Sequence, residues 1–257
     1  MLELLDEFVR ICETNNLSYF LTAGTLLGAA RHKGFIPWDD DIDVAMPRKD
    51  YELFLDLLEK SNNKIYYVLS CRSPKKSIYH YEPYAKLCKK GTVFAESARN
   101  PGDYSGIFID IWPFDKCILL FVPLQTMLIK SVWKLYRLIN HIDIPQKKSK
   151  RFITKLLCCI FSSKFCNTLH KKLYLIFNRC NTKYISFFSG RYGWKKETHK
   201  YDKIFPLSDI TFEGKKYFAP ANSDYFLKQL YGNYMELPPV EAQINHNPKY
   251  ILFEADA

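Results

Sequence analysis

Glycine is scarce in this chain, with 10 in 257 residues. Internal repeats and low-complexity tracts are absent, which sets repeat architectures aside. With 47% hydrophobic and 16% aromatic residues, the composition is that of a globular protein able to bury a good core, not of a disordered one. None of the eight cysteines form a CxxC pair. Cys158, Cys159, Cys166 and Cys180 are the remaining zinc candidates, but their spacing departs from the common patterns, and reduced thiols are the expectation. A secretory signal is also missing: Met1-Leu2-Glu3-Leu4-Leu5-Asp6-Glu7 is acidic and amphipathic. The expectation is a cytoplasmic protein, with peripheral contact at the inner face of the membrane as an extension. An apolar run, Ile118 to Ile129, is too short to span a bilayer comfortably. Pro123 and Gln125 read as interruptions of it and Lys130 as its close, so an interfacial or buried helix is expected.

Charge is unevenly placed. The chain carries +10 overall, yet residues 116–200 hold 18 Lys or Arg against Asp143 and Glu197 alone, a local balance of +16 that leaves −6 for the rest. A basic half joined to a mildly acidic half points to an anionic partner: a membrane surface, a phosphorylated glycan or nucleic acid.

Along the chain, Leu2, Leu5, Phe8, Val9 and Cys12 recur at helical spacing and predict an amphipathic opening helix. Tyr19-Phe20-Leu21 reads as a short strand, Gly24-Thr25 as a turn, and Leu26 to Arg31 as a short helix broken at Lys33-Gly34. Pro47 opens a helix through Leu58. Strands are expected at 65–69, 79–87, 92–95 and 106–112, with a turn at Asn100-Pro101-Gly102-Asp103. From Ile118 to about Phe188 the pattern reads as helical, basic and aromatic (Trp133, Tyr136, Phe152, Phe161, Phe165, Tyr174, Phe177), with a solvated linker at 145–150. Strand character returns at 210–212 and 217–219 around a Glu213-Gly214 turn. Asn222 or Ser223 then caps a helix that ends before Gly232.

The chemistry concentrates in Trp38-Asp39-Asp40-Asp41-Ile42-Asp43-Val44-Ala45-Met46. In an extended strand, Asp41 and Asp43 share a face while Ile42 and Val44 point to the core. Two adjacent carboxylates repel, and a divalent cation relieves that repulsion. Mg²⁺, or Mn²⁺ in its place, chooses oxygen ligands and keeps waters that phosphates can replace. Asp110, alone within the apolar run Gly106 to Trp112, is costly to bury unless paired or metal-bound. Gly24 and Thr25, where a helix begins, suit a phosphate cradle. Together these residues point to a metal-dependent phosphoryl or nucleotidyl transfer site, in which one acid can also act as general base.

The run from Leu21 to Asp43, with Gly24-Thr25 and Asp39-Asp40-Asp41-Ile42-Asp43 inside it, resembles the LicD/fukutin-related family of the nucleotidyltransferase-fold superfamily. Gly106-Ile107-Phe108-Ile109-Asp110-Ile111-Trp112-Pro113 resembles the family's second acidic strand. Tyr225 to Met235, followed by Leu237-Pro238-Pro239, resembles its C-terminal signature. The likeness leaves out only the helical middle, from about Ile118 to Ser189.

The resemblance implies an α+β fold, a mixed sheet flanked by helices with the acids on adjacent strands. Its catalytic core spans 1–115, a basic helical segment spans 116–200, and 201–257 completes the catalytic domain. It also implies transfer of phosphocholine, or a relative such as ribitol phosphate, from CDP-choline or another CDP-alcohol to a hydroxyl of lipopolysaccharide, teichoic acid or capsule, releasing CMP. Asp41, Asp43 and Asp110 then hold the metal, with Asp115 as rival for the third place. Gly24 and Thr25 correspond to the Gly-Ser turn, Thr replacing Ser.

Arg31, His32, Lys33 and Lys86 are candidate phosphate contacts, set against ordinary surface or edge-strand cations. Asp39 and Asp40 read as loop-shaping residues, Trp38 as a core or lid residue, and His246 as a loop residue. Two other functions compete: transfer of NMP from NTP to a small molecule or RNA, and a non-catalytic membrane-surface binding protein. No RNA-binding module is recognisable, which argues against nucleic acid.

Overall fold

The structure is a computed structural model that describes residues 1–61, 63–73, 82–96, 105–140, 160–245 and 248–253. It divides into two compact units, Met1–Phe114 with His199–Ala257, and Asp115–Thr198.

In chain order the elements are α1 (Leu2–Thr14), β1 (Phe20–Leu21), α2 (Ala23–His32), β2 (Asp43–Pro47), α3 (Arg48–Lys60), β3 (Tyr66–Leu69), β4 (Ala85–Lys89), β5 (Val93–Ala95) and β6 (Phe108–Cys117). There follow α4 (Val122–Ile139), α5 (Ser163–Leu175), β7 (Tyr184–Ser186), α6 (Trp194–Glu197), β8 (Thr198–Lys200) and α7 (Tyr201–Ile204). The chain ends with β9 (Ser208–Phe212), β10 (Lys215–Ala219), α8 (Ser223–Tyr231) and β11 (Tyr250–Leu252).

The first unit is built on a mixed sheet in the order β1-β2-β6-β4-β3. β2 and β6 run parallel at its centre, and the other neighbours pair antiparallel. The central strands β2, β4 and β6 bury successive residues on both faces. α1 buries Leu4, Leu5, Phe8, Ile11 and Cys12, one stripe of an amphipathic helix. On β1, Phe20 packs against Phe114 and Phe226, while its neighbour Tyr19 meets Phe8 on the other side. Each such aromatic contributes about 1.5–3 kcal/mol on burial. β9 and β10 form the expected hairpin; Glu213 (φ 48) and Gly214 (φ 76) make a two-residue turn with both φ positive. The Asn222 side chain caps α8 by accepting from Tyr225 N–H, and Gly232 follows it at φ 73.

Several expectations change. Gly24 and Thr25 do not form a turn ahead of a helix, because α2 starts at Ala23 and includes both in its first turn. The strand expected at 79–87 is seen at Ala85–Lys89; residues 79–81 lie outside those described, as do the turn at 100–103, the linker at 145–150, Phe152 and His246. β11 pairs antiparallel with β5, a pairing of three exposed residues that carries no alternation to read.

In the second unit, α4 and α5 lie antiparallel. Gln125 Nε2 donates to the Leu173 carbonyl at 2.7 Å near one end, and Ser163 Oγ donates to Asn140 Oδ1 at 3.0 Å near the other. Cys117, Val122, Ile129, Tyr174 and Phe188 form their core. Pro123 and Gln125 do not interrupt this segment. Pro123 occupies the first turn of α4, where no N–H is needed, and Gln125 is buried and hydrogen-bonded. The middle is not wholly helical either. β7 pairs with Asp115–Cys117, the end of β6, a strand too short for its alternation to register in sequence. Cys166 is buried and Cys180 exposed, while Cys158 and Cys159 fall outside the described residues.

Candidate active site

The register of the central strands assembles the site. Asp43 on β2 lies directly beside Asp110 on β6, and Asp110 N–H donates to the Ile42 carbonyl at 2.8 Å. Asp41 stands just before β2 rather than within it, yet its carboxylate joins the cluster. One oxygen from each of Asp41, Asp43 and Asp110 lies within 4.8 Å of the others. Asp43 and Asp110 are buried, and Asp41 is partly exposed.

The first turn of α2 anchors this arrangement. Thr25 Oγ1 accepts from Asp43 N–H at 2.7 Å, and Thr22 N–H donates to the Asp43 carbonyl at 3.2 Å. The Thr25 hydroxyl therefore fixes the backbone that carries Asp43. At Gly24 a Cβ would meet Asp39 Oδ2, so the glycine lets the Asp39 carboxylate lie against α2, and a larger residue would make that side chain shift. Gly28 permits a similar close approach further along the helix, against the carbonyl of Gly34.

Two residues that the sequence did not assign, or left open, complete the cluster. Trp112, two positions after Asp110 and so on the same face of β6, donates Nε1–H to Asp43 Oδ1 at 2.7 Å and stacks on Tyr84 at 4.4 Å. Lys86 is not on an edge: β4 lies between β6 and β3, and Lys86 pairs in register with Asp110. Its Nζ is 2.9 Å from Asp110 Oδ1, 3.9 Å from Glu96 Oε1 and 3.2 Å from the centre of the Phe108 ring, and the side chain is buried. The period of two on β6 places Phe108, Asp110 and Trp112 together, a signal present in the sequence once the strand is known.

Electrostatics follow from burial. Desolvation pushes the Asp43 carboxyl well above the usual carboxylate range; the neighbouring Asp41 and Asp110 add to this, and the Trp112 hydrogen bond opposes it. Desolvation also raises Asp110, to about 6, against the pull of Lys86. A cluster of three hard oxygen donors, partly withdrawn from water and with the Lys86 ammonium at one of them, fits a divalent cation.

The other candidates are placed elsewhere. Arg31 Nη1 donates to the carbonyls of Tyr234 at 2.8 Å and Glu236 at 3.2 Å, tying α2 to the segment after α8. Its guanidinium is 5.9 Å from the Trp38 ring centre, and His32 meets that ring edge-on at 6.2 Å. Desolvation lowers both Arg31 and His32. Lys33 is exposed and caps α2 at φ 64, its carbonyl accepting from Glu213 N–H at 2.9 Å. Asp115, in the second unit, accepts from Asn178 Nδ2 at 2.7 Å and is not a member of the acidic cluster.

A mixed sheet with paired acids on adjacent parallel strands, anchored to a helix's first turn, is the arrangement that the sequence resemblance to a nucleotidyltransferase fold implied. Residues 16–148 match the family described as LicD/FKTN/FKRP, nucleotidyltransferase domain. The chain belongs to that family, as the sequence resemblance implied. It is 31% identical over 260 aligned positions to the lipopolysaccharide cholinephosphotransferase LicD of Haemophilus influenzae, covering 96% of this chain and 92% of that protein. A shorter stretch of 42 residues, 16% of this chain, is 45% identical to the ribitol 5-phosphate transferase FKRP of Homo sapiens, covering 8% of that protein. An uncharacterised protein of Rickettsia typhi is 34% identical over 88 residues, 31% of this chain and 28% of that protein.

Proposed function

We propose that this protein is a phosphotransferase that moves phosphocholine, or a related phospho-alcohol such as ribitol phosphate, from a CDP-activated donor to a glycan hydroxyl. Lipopolysaccharide is the favoured acceptor and teichoic acid or capsule the alternatives. The acceptor oxygen attacks the β-phosphorus as its proton passes to a carboxylate of the cluster acting as general base, and the phosphoanhydride bond to CMP breaks, CMP leaving with the bond's electron pair. The observation that carries the reading is the gathering of Asp41, Asp43 and Asp110. The near full-length likeness to a cholinephosphotransferase supports the choice of donor class.

In this reading the three carboxylates hold Mg²⁺, which would neutralise phosphate charge and align the donor. Thr25 fixes the backbone of Asp43, Trp112 orients its carboxylate through Oδ1, and Lys86 holds Asp110. Gly24 and Thr25 in the first turn of α2 offer backbone N–H groups toward donor phosphate. Arg31 and Lys33 add positive charge at the far end of the same helix, with the His32 ring between them in sequence.

The test incubates the purified protein with CDP-choline, CDP-ribitol, CDP-glycerol or CTP, Mg²⁺ and a panel of glycan acceptors. CMP release with one CDP-alcohol and one acceptor is the expected result. Pyrophosphate release from CTP would establish the nucleotidyl-transfer alternative instead. Failure of every donor, in a folded sample that binds Mg²⁺ by calorimetry, refutes both.

A further inference from the structure

The second unit carries an apolar surface that no step of the transfer uses. A 3-10 turn at Leu119–Phe121 leads into α4, and Leu120 (81% exposed), Phe121, Leu124 (51%) and Met127 (57%) all face outward. They recur at the three- and four-residue intervals of one helical face. The antiparallel pairing of α4 with α5 brings the end of α5 to the same place, where Phe177 stacks on Phe121 at 5.9 Å and Ile176 is 57% exposed. The buried face of α4 (Val122, Gln125, Thr126, Ile129) already serves the unit's core, so the outward face is a second apolar face on the same helix.

Exposed cations lie on the same helices. Lys130 and Lys134 continue the exposed side of α4, and Lys171, Lys172 and Arg179 are exposed along α5 and just beyond it. The local balance of +16 over residues 116–200 includes only two acids, one of which, Glu197, is buried.

We propose that the stripe Leu120–Phe121–Leu124–Met127, with Ile176, is a docking wedge that enters the interface of an anionic phospholipid membrane while the lysines of the same helices meet lipid phosphates. An apolar face on helices that also expose Lys and Arg is the pattern of an element lying in the interface plane. No helix among the described residues is long and apolar enough to cross a membrane, so the contact is with the surface. A second copy of the chain is a poor occupant, because it would bring two strongly positive surfaces together. The proposal stands apart from the transfer chemistry, since its test uses neither donor nor metal.

The experiment is co-sedimentation of the full chain with vesicles of phosphatidylcholine alone and of phosphatidylcholine mixed with phosphatidylglycerol. Binding to the mixed vesicles that weakens with added NaCl is expected. Leu120→Glu with Leu124→Glu should lower the partition coefficient by about tenfold or more, since the apolar contact is lost and the added charges are repelled by the lipid. Lys171→Gln with Lys172→Gln should lower it less and flatten the salt dependence. All four positions are exposed, so melting temperature and circular dichroism should match the parent; Leu120→Ser with Leu124→Ser gives the same test without added charge. Equal binding by the leucine variants and the parent, equal binding to vesicles lacking phosphatidylglycerol, or no binding at low salt overturns the proposal. So does a dimer in sedimentation velocity that Leu120→Glu dissociates.

Discussion

Asp43→Asn separates charge from hydrogen bonding at the centre of the site. Asparagine keeps an Oδ1 that accepts from Trp112 Nε1–H, so the perturbation is the loss of one negative charge beside Asp41 and Asp110. Ligand oxygens in this cluster lie within 4.8 Å of one another. Two unit charges at that separation repel by about 3–4 kcal/mol at an effective dielectric constant near 20. Lys86 already offsets some of the field at Asp110, and the raised affinity of Asp43 for a proton offsets more. A net stabilisation of the metal-free variant by about 1–3 kcal/mol remains, which for a chain of this size is a rise of about 2–10 °C in Tm. With Mg²⁺ the order reverses: the parent gains stability as the cation saturates the native state, and the variant, one ligand short, gains far less. Differential scanning fluorimetry in EDTA and across a Mg²⁺ titration reads both arms. A variant that melts below the parent in EDTA, or that shows the parent's full Mg²⁺-dependent shift, refutes the reasoning.

Trp112→Phe removes the donor to Asp43 Oδ1 and should weaken Mg²⁺ binding by about 10–100-fold in isothermal titration calorimetry, as loss of a partner that orients a metal ligand does. His199 is fully buried against Phe226 (rings 4.2 Å apart), neither ring nitrogen has a hydrogen-bond partner among the described residues, and burial lowers it from 6.5 to about 3. The unfolded chain thus takes up the proton first, and stability that is intact above pH 6.5 should fall by about 1.4 kcal/mol per pH unit as pH drops toward 3. Urea melts between those limits should show His199→Phe free of this component. Glu197 moves the opposite way: burial raises it from 4.5 to about 7, so its native state holds the proton more tightly and stability present below pH 4.5 is lost as pH rises through 7. Glu197→Gln, which keeps the acceptor for Tyr192 N–H, should gain on the parent by about 1–3 kcal/mol across that window in the same melts.

What was legible of this site was what is written close together in the chain. Asp41 and Asp43 stand two apart in an apolar setting, and that pattern alone pointed to a shared face and a cation, although Asp41 reaches the cluster from the segment before β2. Asp110 was legible because a lone acid in an apolar strand demands a partner. Its choice over Asp115 needed the register: an odd spacing separates the two along β6, and Asn178 takes Asp115. The roles of Lys86 and Trp112 were not readable, for a physical reason. Each meets its acid through strand pairing across dozens of residues, and no local pattern encodes which strand lies beside which. Lys86 had an edge-strand reading that only the place of β4 between β6 and β3 removes. Thr25 shows the same limit from the other side. Its neighbourhood to glycine at a helix start suggested phosphate, while the folded chain shows its hydroxyl accepting from the backbone of Asp43. The acids supply the charge, and the residues that fix their positions are recruited through tertiary structure. Substitutions at Thr25, Lys86 and Trp112 should therefore act on metal affinity before they act on anything a sequence pattern would connect with them.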